Sequence, residues 1–312
     1  MDDLDLRHWQ ARYREYMEVT RGWALRTVQI YSNELKPFFA YLERQGVTNL
    51  VRLTLAHLEG YRLEMYQLRF RGRPLARPTQ QVRLTGIKQF ARYLYRENYL
   101  LLDIAANFEL PRPGQTLPRT ILSERETIQL IEQPDTTTLK GIRDRAMLEL
   151  LYGTGLRNSE LRFLKIDQVD LERKILRIDH GKGNKARVLP LGEEAHAWLE
   201  EYLVKVRPHL VRRPDQKLVF IASITGEELS RTVLVDAVHR VAKRAGLEKT
   251  VTPHVLRHSC ATHMLRRGAN VRHLQKLLGH ESLDTTQIYT RVETSDLARV
   301  IRRFHPREQV EG

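Results

Sequence analysis

Cysteine is almost absent from this sequence: Cys260 is the single one among 312 residues. No intramolecular disulfide can form, so packing and polar contacts must hold the fold, and a reducing, cytoplasmic setting is the simplest expectation. There is no run of about eighteen apolar residues, which argues against a membrane-spanning helix. Met1 to Leu6 is acidic and lacks an apolar stretch, so it does not read as a secretory signal. No internal repeat and no low-complexity tract interrupts the chain. Two common chemical signatures are also missing. Gly181-Lys182-Gly183-Asn184-Lys185 is no phosphate-binding P-loop, because it lacks GxxxxGK[ST] and leads into a strand-like run. His254 and His258 have the i, i+4 spacing of zinc ligands, and His263 lies near, but no carboxylate follows in the HExxH manner. No metal and no cofactor are therefore expected.

What the chain does have is positive charge. It carries 52 Lys+Arg against 38 Asp+Glu, a formal net charge of +14. A polyanionic partner is the natural inference, since lysine and arginine neutralise phosphates and release counterions. The excess is spread along the chain, with +5 in residues 1–110 (17 minus 12) and +9 in the rest (35 minus 26). That pattern suits two lobes that both face nucleic acid better than a basic tail. A generally basic soluble protein is the plainer alternative. With 41% hydrophobic residues, the chain is long enough for one large or two ordinary globular domains.

The first 110 residues read as helical. Apolar side chains recur at helical spacing in Trp9, Tyr13 and Tyr16, and again in Val28, Tyr31, Leu35, Phe38, Phe39 and Leu42. Further helices are expected over Leu55 to Phe70 and Thr79 to Arg96, the last with Val82, Ile87, Phe90, Ala91 and Leu94 facing inward. No strand pattern stands out here. Glu109-Leu110-Pro111-Arg112-Pro113-Gly114-Gln115-Thr116-Leu117-Pro118 has three prolines and a glycine, which marks an extended linker and a domain boundary. Beyond it the pattern is mixed. Ser123-Glu124-Arg125-Glu126 is a capping box. A helix over Gly141 to Tyr152 ends at Gly153 and Gly155. Lys174 to Asp179 and Ala186 to Leu191 read as strands around a hairpin turn. Thr252-Pro253 opens a helix that Gly268 closes, and Asp284 with Gln287 makes a further helix start.

Chemistry concentrates in the second part. Arg157 follows a glycine-ended helix, Lys182 sits at the hairpin tip, and His254 and Arg257 share a helix face. His280 follows Gly279, and Tyr289 lies nine residues later. Two arginines, a lysine and two histidines suit a phosphodiester, because guanidinium groups bind phosphate oxygens in pairs and do not lose their charge. Tyrosine is a workable nucleophile. Taken singly, each has a plainer reading: Tyr289 as a packed helix tyrosine, Arg157 and Arg257 as salt-bridge partners, Lys182 as an exposed turn lysine easily confused with Lys185, and His280 as a helix-terminal histidine.

Taken in this order and context, Arg157, Lys182, His254, Arg257, His280 and Tyr289 resemble the signature of the tyrosine recombinase (phage-integrase-like) family, most of all its Xer branch of site-specific recombinases. The resemblance covers nearly the whole chain. It implies a mainly α fold with a small β-sheet. Residues 1–110 would form a helical, SAM-like core-binding clamp domain, 111–118 a linker, and 119–312 an α+β catalytic domain with a C-terminal docking helix. It implies that Tyr289 attacks the scissile phosphorus and forms a 3′-phosphotyrosine. Arg157 and Arg257 would clamp the non-bridging oxygens, Lys182 would protonate the leaving 5′-oxygen, His254 would assist the tyrosine proton, and His280 would hydrogen-bond the phosphate. Glu160 would orient Arg157 or another active-site group, as structural support. Asn158 stands where many relatives carry an apolar residue.

The same resemblance implies double-stranded DNA as partner, exchange through a Holliday junction in a homotetramer or in a heterotetramer with a paralogous recombinase, and no membrane. It leaves open whether a DNA translocase switches the enzyme on. The role would be chromosome or plasmid dimer resolution, tied to chromosome partition and cell division, or DNA integration by a mobile element. Arg71, Arg73, Arg77, Arg83 and Lys88, in the densest basic stretch, would meet DNA phosphates; a solvated helix face is the alternative. Leu297, Val300, Ile301 and Phe304 form an apolar stripe that either packs on its own domain or docks on a neighbouring protomer. A type IB topoisomerase and a catalytically silent DNA-binding protein remain the rival functions.

Overall fold

The computed structural model describes residues 6–47, 49–70, 72–111, 120–179, 186–222, 225–279 and 291–308. The chain divides into two compact units, residues 1–117 and 118–312. Among the described residues no helix is long and apolar enough to cross a membrane.

The first unit is built from α1 (Leu6–Glu15), α2 (Leu25–Arg44), α3 (Leu55–Gln67) and α4 (Arg77–Arg96). Its core is rich in rings. Tyr13, Phe38, Phe39, Tyr61 and Phe90 are buried to within 1%, and Tyr13 meets Phe90 edge-on at 5.2 Å between ring centres. The helical periodicity picked the buried positions well in α2. In α4 one position differs: Val82 is 42% exposed and Leu84 is buried. Val82 lies five residues before Ile87, about 140° around the helix, whereas Leu84 lies within about 60° of it. The third segment stops at Gln67 instead of Phe70, because Arg69–Phe70 (β1) pairs antiparallel with Arg73–Pro74 (β2). A two-residue ladder closed at Gly72, φ +77°, is too short to leave an alternating pattern in the sequence.

The second unit is organised around α6 (Leu139–Gly153), in which every residue from Gly141 to Gly153 is buried. Around it lie α5 (Glu124–Glu132), α7 (Asn158–Arg162), α8 (Glu193–Lys205), α9 (Arg207–Leu210), α10 (Arg231–Arg244), α11 (Pro253–Arg266), α12 (Val271–Leu278) and α13 (Arg291–Phe304). The expected starts are present. Ser123 accepts from the Glu126 amide while the Glu126 carboxylate accepts from the Ser123 amide, and Thr252 accepts from the Val255 amide ahead of α11. The sheet is three-stranded and antiparallel in the order β3 (Val169–Asp170), β4 (Ile175–Ile178) and β5 (Arg187–Pro190). Both expected strands are there; β3 is an addition. Ile178 lies opposite Arg187 at the base of the β4–β5 hairpin.

The C-terminal stripe closes on its own unit. Leu297, Val300 and Ile301 are buried, and Phe304 packs against the same core. The reason lies just beyond the stripe. His305 Nε2 donates to the Tyr152 carbonyl at 3.2 Å, and its Nδ1 accepts from the Arg307 amide. Arg307 reaches Glu149 at 2.6 Å, Glu132 at 3.1 Å and Glu194 at 3.1 Å. The Glu308 carboxylate accepts from the Glu193 amide at 3.1 Å, where the N-terminus of α8 favours a negative charge.

Candidate active site

The site begins where α6 ends. Gly155 adopts φ +64°, and a Cβ there would lie 2.7 Å from the Leu278 side chain. A glycine is needed both for the left-handed turn and for the close approach of α12. The turn buries Leu156 completely and delivers Arg157 to the N-cap of α7. The Arg157 amide donates to Glu160 Oε2 at 2.8 Å, and Arg157 Nη1 donates to Glu160 Oε1 at 2.6 Å. Glu160 thus caps the helix and holds the arginine, which stays 22% exposed. Asn158, at the first position of α7, is only half-buried, so a polar side chain fits there.

Arg257 comes from α11 and is 5% exposed. Its Nη1 donates to the Gly155 carbonyl and its Nη2 to the Leu278 carbonyl at 2.5 Å. Arg157 Nη2 donates to the Gly279 carbonyl at 2.7 Å. A third arginine joins them. Arg187, at the start of β5, donates through Nε to the Leu277 carbonyl at 3.2 Å and through both Nη atoms to Glu160, at 2.8 and 2.7 Å. Three successive carbonyls at the end of α12 therefore receive three arginines. These are the acceptors that a helix C-terminus leaves without partners, at its partially negative end.

Charge follows from this geometry. Burial alone would raise the Glu160 carboxyl, but Arg187 and then Arg157 outweigh it and bring it down to about 2. Burial, and next the Arg157 charge, bring Arg257 down to about 10, so it stays protonated at neutral pH. Three guanidinium groups gather around one carboxylate, which bonds two of them, a surplus of two positive charges. Each guanidinium has about five N–H donors, more than these contacts use. Such a locus can bind an anion with oxygens in the plane of the forks.

Of the residues expected at the site, Arg157 and Arg257 are brought together, with Glu160 on Arg157. His254 lies one turn before Arg257 and is exposed. Lys182, His280 and Tyr289 lie outside the described residues. In the chain, Lys182 falls between β4 and β5, His280 follows Gly279, and Tyr289 precedes α13 by two residues. His263 is buried with its ring between the Tyr152 hydroxyl at 2.9 Å and the Leu122 carbonyl at 2.7 Å. Among the described residues no group of three or more His, Cys, Asp and Glu side chains could hold a metal.

Sequence reading missed Arg187. A signal was present: in the run from Ala186 to Leu191, alternation puts Arg187 on the same face as the buried Leu189, and a cation on a buried face requires a partner. In the first unit Arg73 and Arg77 are exposed. Arg83 instead pairs with Glu34 at 2.8 Å, and Lys88 donates to the Phe108 carbonyl at 2.5 Å. Arg71 lies outside the described residues.

Comparison with known proteins gives a consistent picture. Residues 120–296 match the phage integrase family, and residues 11–98 match its N-terminal SAM-like domain. Tyrosine recombinase XerC 2 of Ralstonia nicotianae is 38% identical over 304 residues, covering 97% of this chain and 87% of that protein. Tyrosine recombinase XerD of Lacticaseibacillus casei is 36% identical over 297 residues, covering 95% and 98%. Among solved structures, XerH recombinase bound to its difH substrate matches with a TM-score of 0.64 at 21% identity, covering 96% of this chain and 82% of that one. A lambda integrase dimer bound to a core site matches with a TM-score of 0.65 at 19% identity, covering 92% and 100%. The chain belongs to the phage integrase family, among the Xer-type tyrosine recombinases.

Proposed function

We propose that this chain binds double-stranded DNA and recombines it site-specifically, with Tyr289 as nucleophile. The Tyr289 oxygen attacks the scissile phosphorus, its proton passing toward His254. The bond from phosphorus to the 5′-oxygen breaks, and Lys182 protonates that oxygen. The product is a 3′-phosphotyrosine and a free 5′-hydroxyl. A second 5′-hydroxyl then reverses the step on a new partner strand, so the phosphodiester energy is conserved and no nucleotide is consumed. Arg157 and Arg257 hold the non-bridging oxygens and stabilise the charge of the pentacoordinate phosphorus, and His280 adds a hydrogen bond.

The observation that carries this reading is the surplus of two positive charges where Arg157, Arg257 and Arg187 meet the end of α12, one residue before His280. The curated relatives named as tyrosine recombinases support the same assignment. At the assembly level we infer four protomers exchanging strands through a Holliday junction in the cytoplasm, as a homotetramer or with a paralogous recombinase, resolving chromosome or plasmid dimers or moving a mobile element. A DNA translocase would act as an external switch on that assembly.

Covalent trapping tests the reading. The full chain is mixed with fragmented host DNA in the presence of chelator, then denatured. A DNA adduct that survives SDS and vanishes in Tyr289→Phe is expected, and sequencing the attached DNA identifies the site. Binding without any adduct would favour a silent DNA-binding protein. Relaxation of a plasmid lacking that site would favour a topoisomerase.

A further inference from the structure

The roles assigned above leave a deeply buried cation of the site unused. Arg187 is 4% exposed, yet it lies on a short strand where an apolar side chain would satisfy burial. Its fork meets both oxygens of Glu160, and its Nε meets the Leu277 carbonyl. A Cβ on Gly279 would come within 3.3 Å of Arg187 Nη1, so the guanidinium also lies against that glycine. Arg187 therefore touches both of the groups that hold Arg157: the Glu160 carboxylate and the Gly279 turn, whose carbonyl accepts from Arg157 Nη2. Along the chain it is also five residues from Lys182.

We propose that Arg187 is a positioning residue for strand cleavage, fixing Glu160 and, through it, the guanidinium of Arg157 against the end of α12. The proposal rests on the recombinase reading above. Its physical basis is a division of one carboxylate between two arginines. Arg187 occupies both Glu160 oxygens in a planar fork and neutralises most of their charge. Arg157 is then oriented by Glu160 without being cancelled by it, and keeps its charge for a phosphate. Without Arg187 the carboxylate turns wholly to Arg157. The surplus at the site drops from two charges to one, and the fork of Arg157 is drawn toward Glu160. A lysine restores the charge but not the fork, since it is a point donor on a flexible stem.

The test uses the full chain and a nicked suicide duplex carrying the sequence recovered from Tyr289 adducts. Single-turnover cleavage is measured at saturating enzyme for the parent, Arg187→Met and Arg187→Lys. DNA affinity is measured separately in a Tyr289→Phe background. Arg187→Met is expected to cleave about 100-fold more slowly, the size of effect that a small misplacement of a clamp produces. Its affinity should stay within about twofold, because many phosphate contacts set it. Arg187→Lys should fall between the two.

A second duplex carries a neutral methylphosphonate at the scissile position, which removes the charge that Arg157 meets. On it the deficit of both variants should shrink to less than about tenfold, as should that of Arg157→Ala; a merely structural role would not respond to this change. Cleavage by Arg187→Met within about threefold of the parent overturns the proposal. So does an equal deficit of Arg187→Lys on both duplexes, and this holds even if Arg187→Met fails to fold. If the parent itself forms no Tyr289-dependent adduct, the recombinase reading fails and takes the proposal with it; a cleaving parent matched by its variants sinks the proposal alone.

Discussion

Replacing Arg307 by methionine removes the cation that ties the C-terminal tail to α6. Glu149 is 1% exposed, and burial pushes its carboxyl upward against the pull of Arg307 and Arg145. In the variant, Glu149 keeps Arg145 at 3.0 Å but loses the 2.6 Å bond to Arg307. Breaking a buried pair from one side costs about 3–5 kcal/mol. Because Arg145 remains, the lower end applies, about 3 kcal/mol. For a unit of this size that is a fall in Tm of about 6–12 °C. Glu149→Gln alone should cost less, about 1–2 kcal/mol, since Arg307 retains Glu132 and Glu194. The double variant should be more stable than Arg307→Met, because the buried Glu149 charge, left with one of its two cations, is gone. Urea unfolding of the full chain reads this through Trp198, which lies 4.9 Å under the Arg145 guanidinium, in a background where Trp9 and Trp23 are phenylalanine. A loss below about 1 kcal/mol for Arg307→Met would refute the idea that the tail is seated by this cluster. A double variant less stable than Arg307→Met would refute Glu149 as the group that Arg307 neutralises.

Gly155→Ala combines a left-handed φ with a 2.7 Å clash against Leu278, so it should lose about 2–4 kcal/mol and most adduct formation. Gly46→Ala, at φ +69° in open space, carries only the backbone strain and should lose about 1 kcal/mol, as urea midpoints would register. Burial holds His305 down at about 4 against a free value of 6.5. The unfolded chain therefore takes up the proton first, and stability should fall as pH drops from 6.5 to 4, by on the order of 3 kcal/mol. His305→Gln should flatten that window in thermal melts. Arg73→Ala and Arg77→Ala should each lower the slope of log affinity against log salt by about 0.9. Arg83→Ala and Lys88→Ala, whose side chains face Glu34 and the Phe108 carbonyl, should change stability and leave the slope alone.

The sequence announced those features that local chemistry decides. Ser123 with Glu126, Thr252 with Pro253, and Gly155 after α6 are each explained by neighbours within a few residues. The β4–β5 pair was legible because two apolar runs flank a turn. Val82 and the β1–β2 ladder were not: one needed the exact face of a helix, the other only two residue pairs. Arg187 was misjudged by omission, because its meaning depends on Glu160, 27 residues away, and on Leu277, 90 residues away. The convergence of Arg157 with Arg257 runs through the Gly155 carbonyl across 102 residues. No spacing rule reaches that far, so only the resemblance of the motifs could anticipate it. The C-terminal stripe was legible as a stripe, but its cover depended on where His305 and Arg307 find partners.

The end of α12 explains why arginine recurs around this site. A helix terminus offers its last carbonyls in a fan, each pointing a little differently, with a partial charge of about −0.5 over the group. Leu277, Leu278 and Gly279 each receive a guanidinium from a different element: β5, α11 and the turn before α7. The carbonyls fix one edge of each fork and leave its plane defined, which a lysine ammonium could not do. That partial charge and one carboxylate fall short of balancing three cations. The mutual repulsion is visible in Arg257, whose proton is loosened first by burial and then by Arg157. On the function proposed above, a phosphate oxygen would supply the missing negative charge, and the pentacoordinate state of phosphoryl transfer would supply more of it than the ground state does. On that reading, the same repulsion among the three arginines would favour the transition state over the bound substrate.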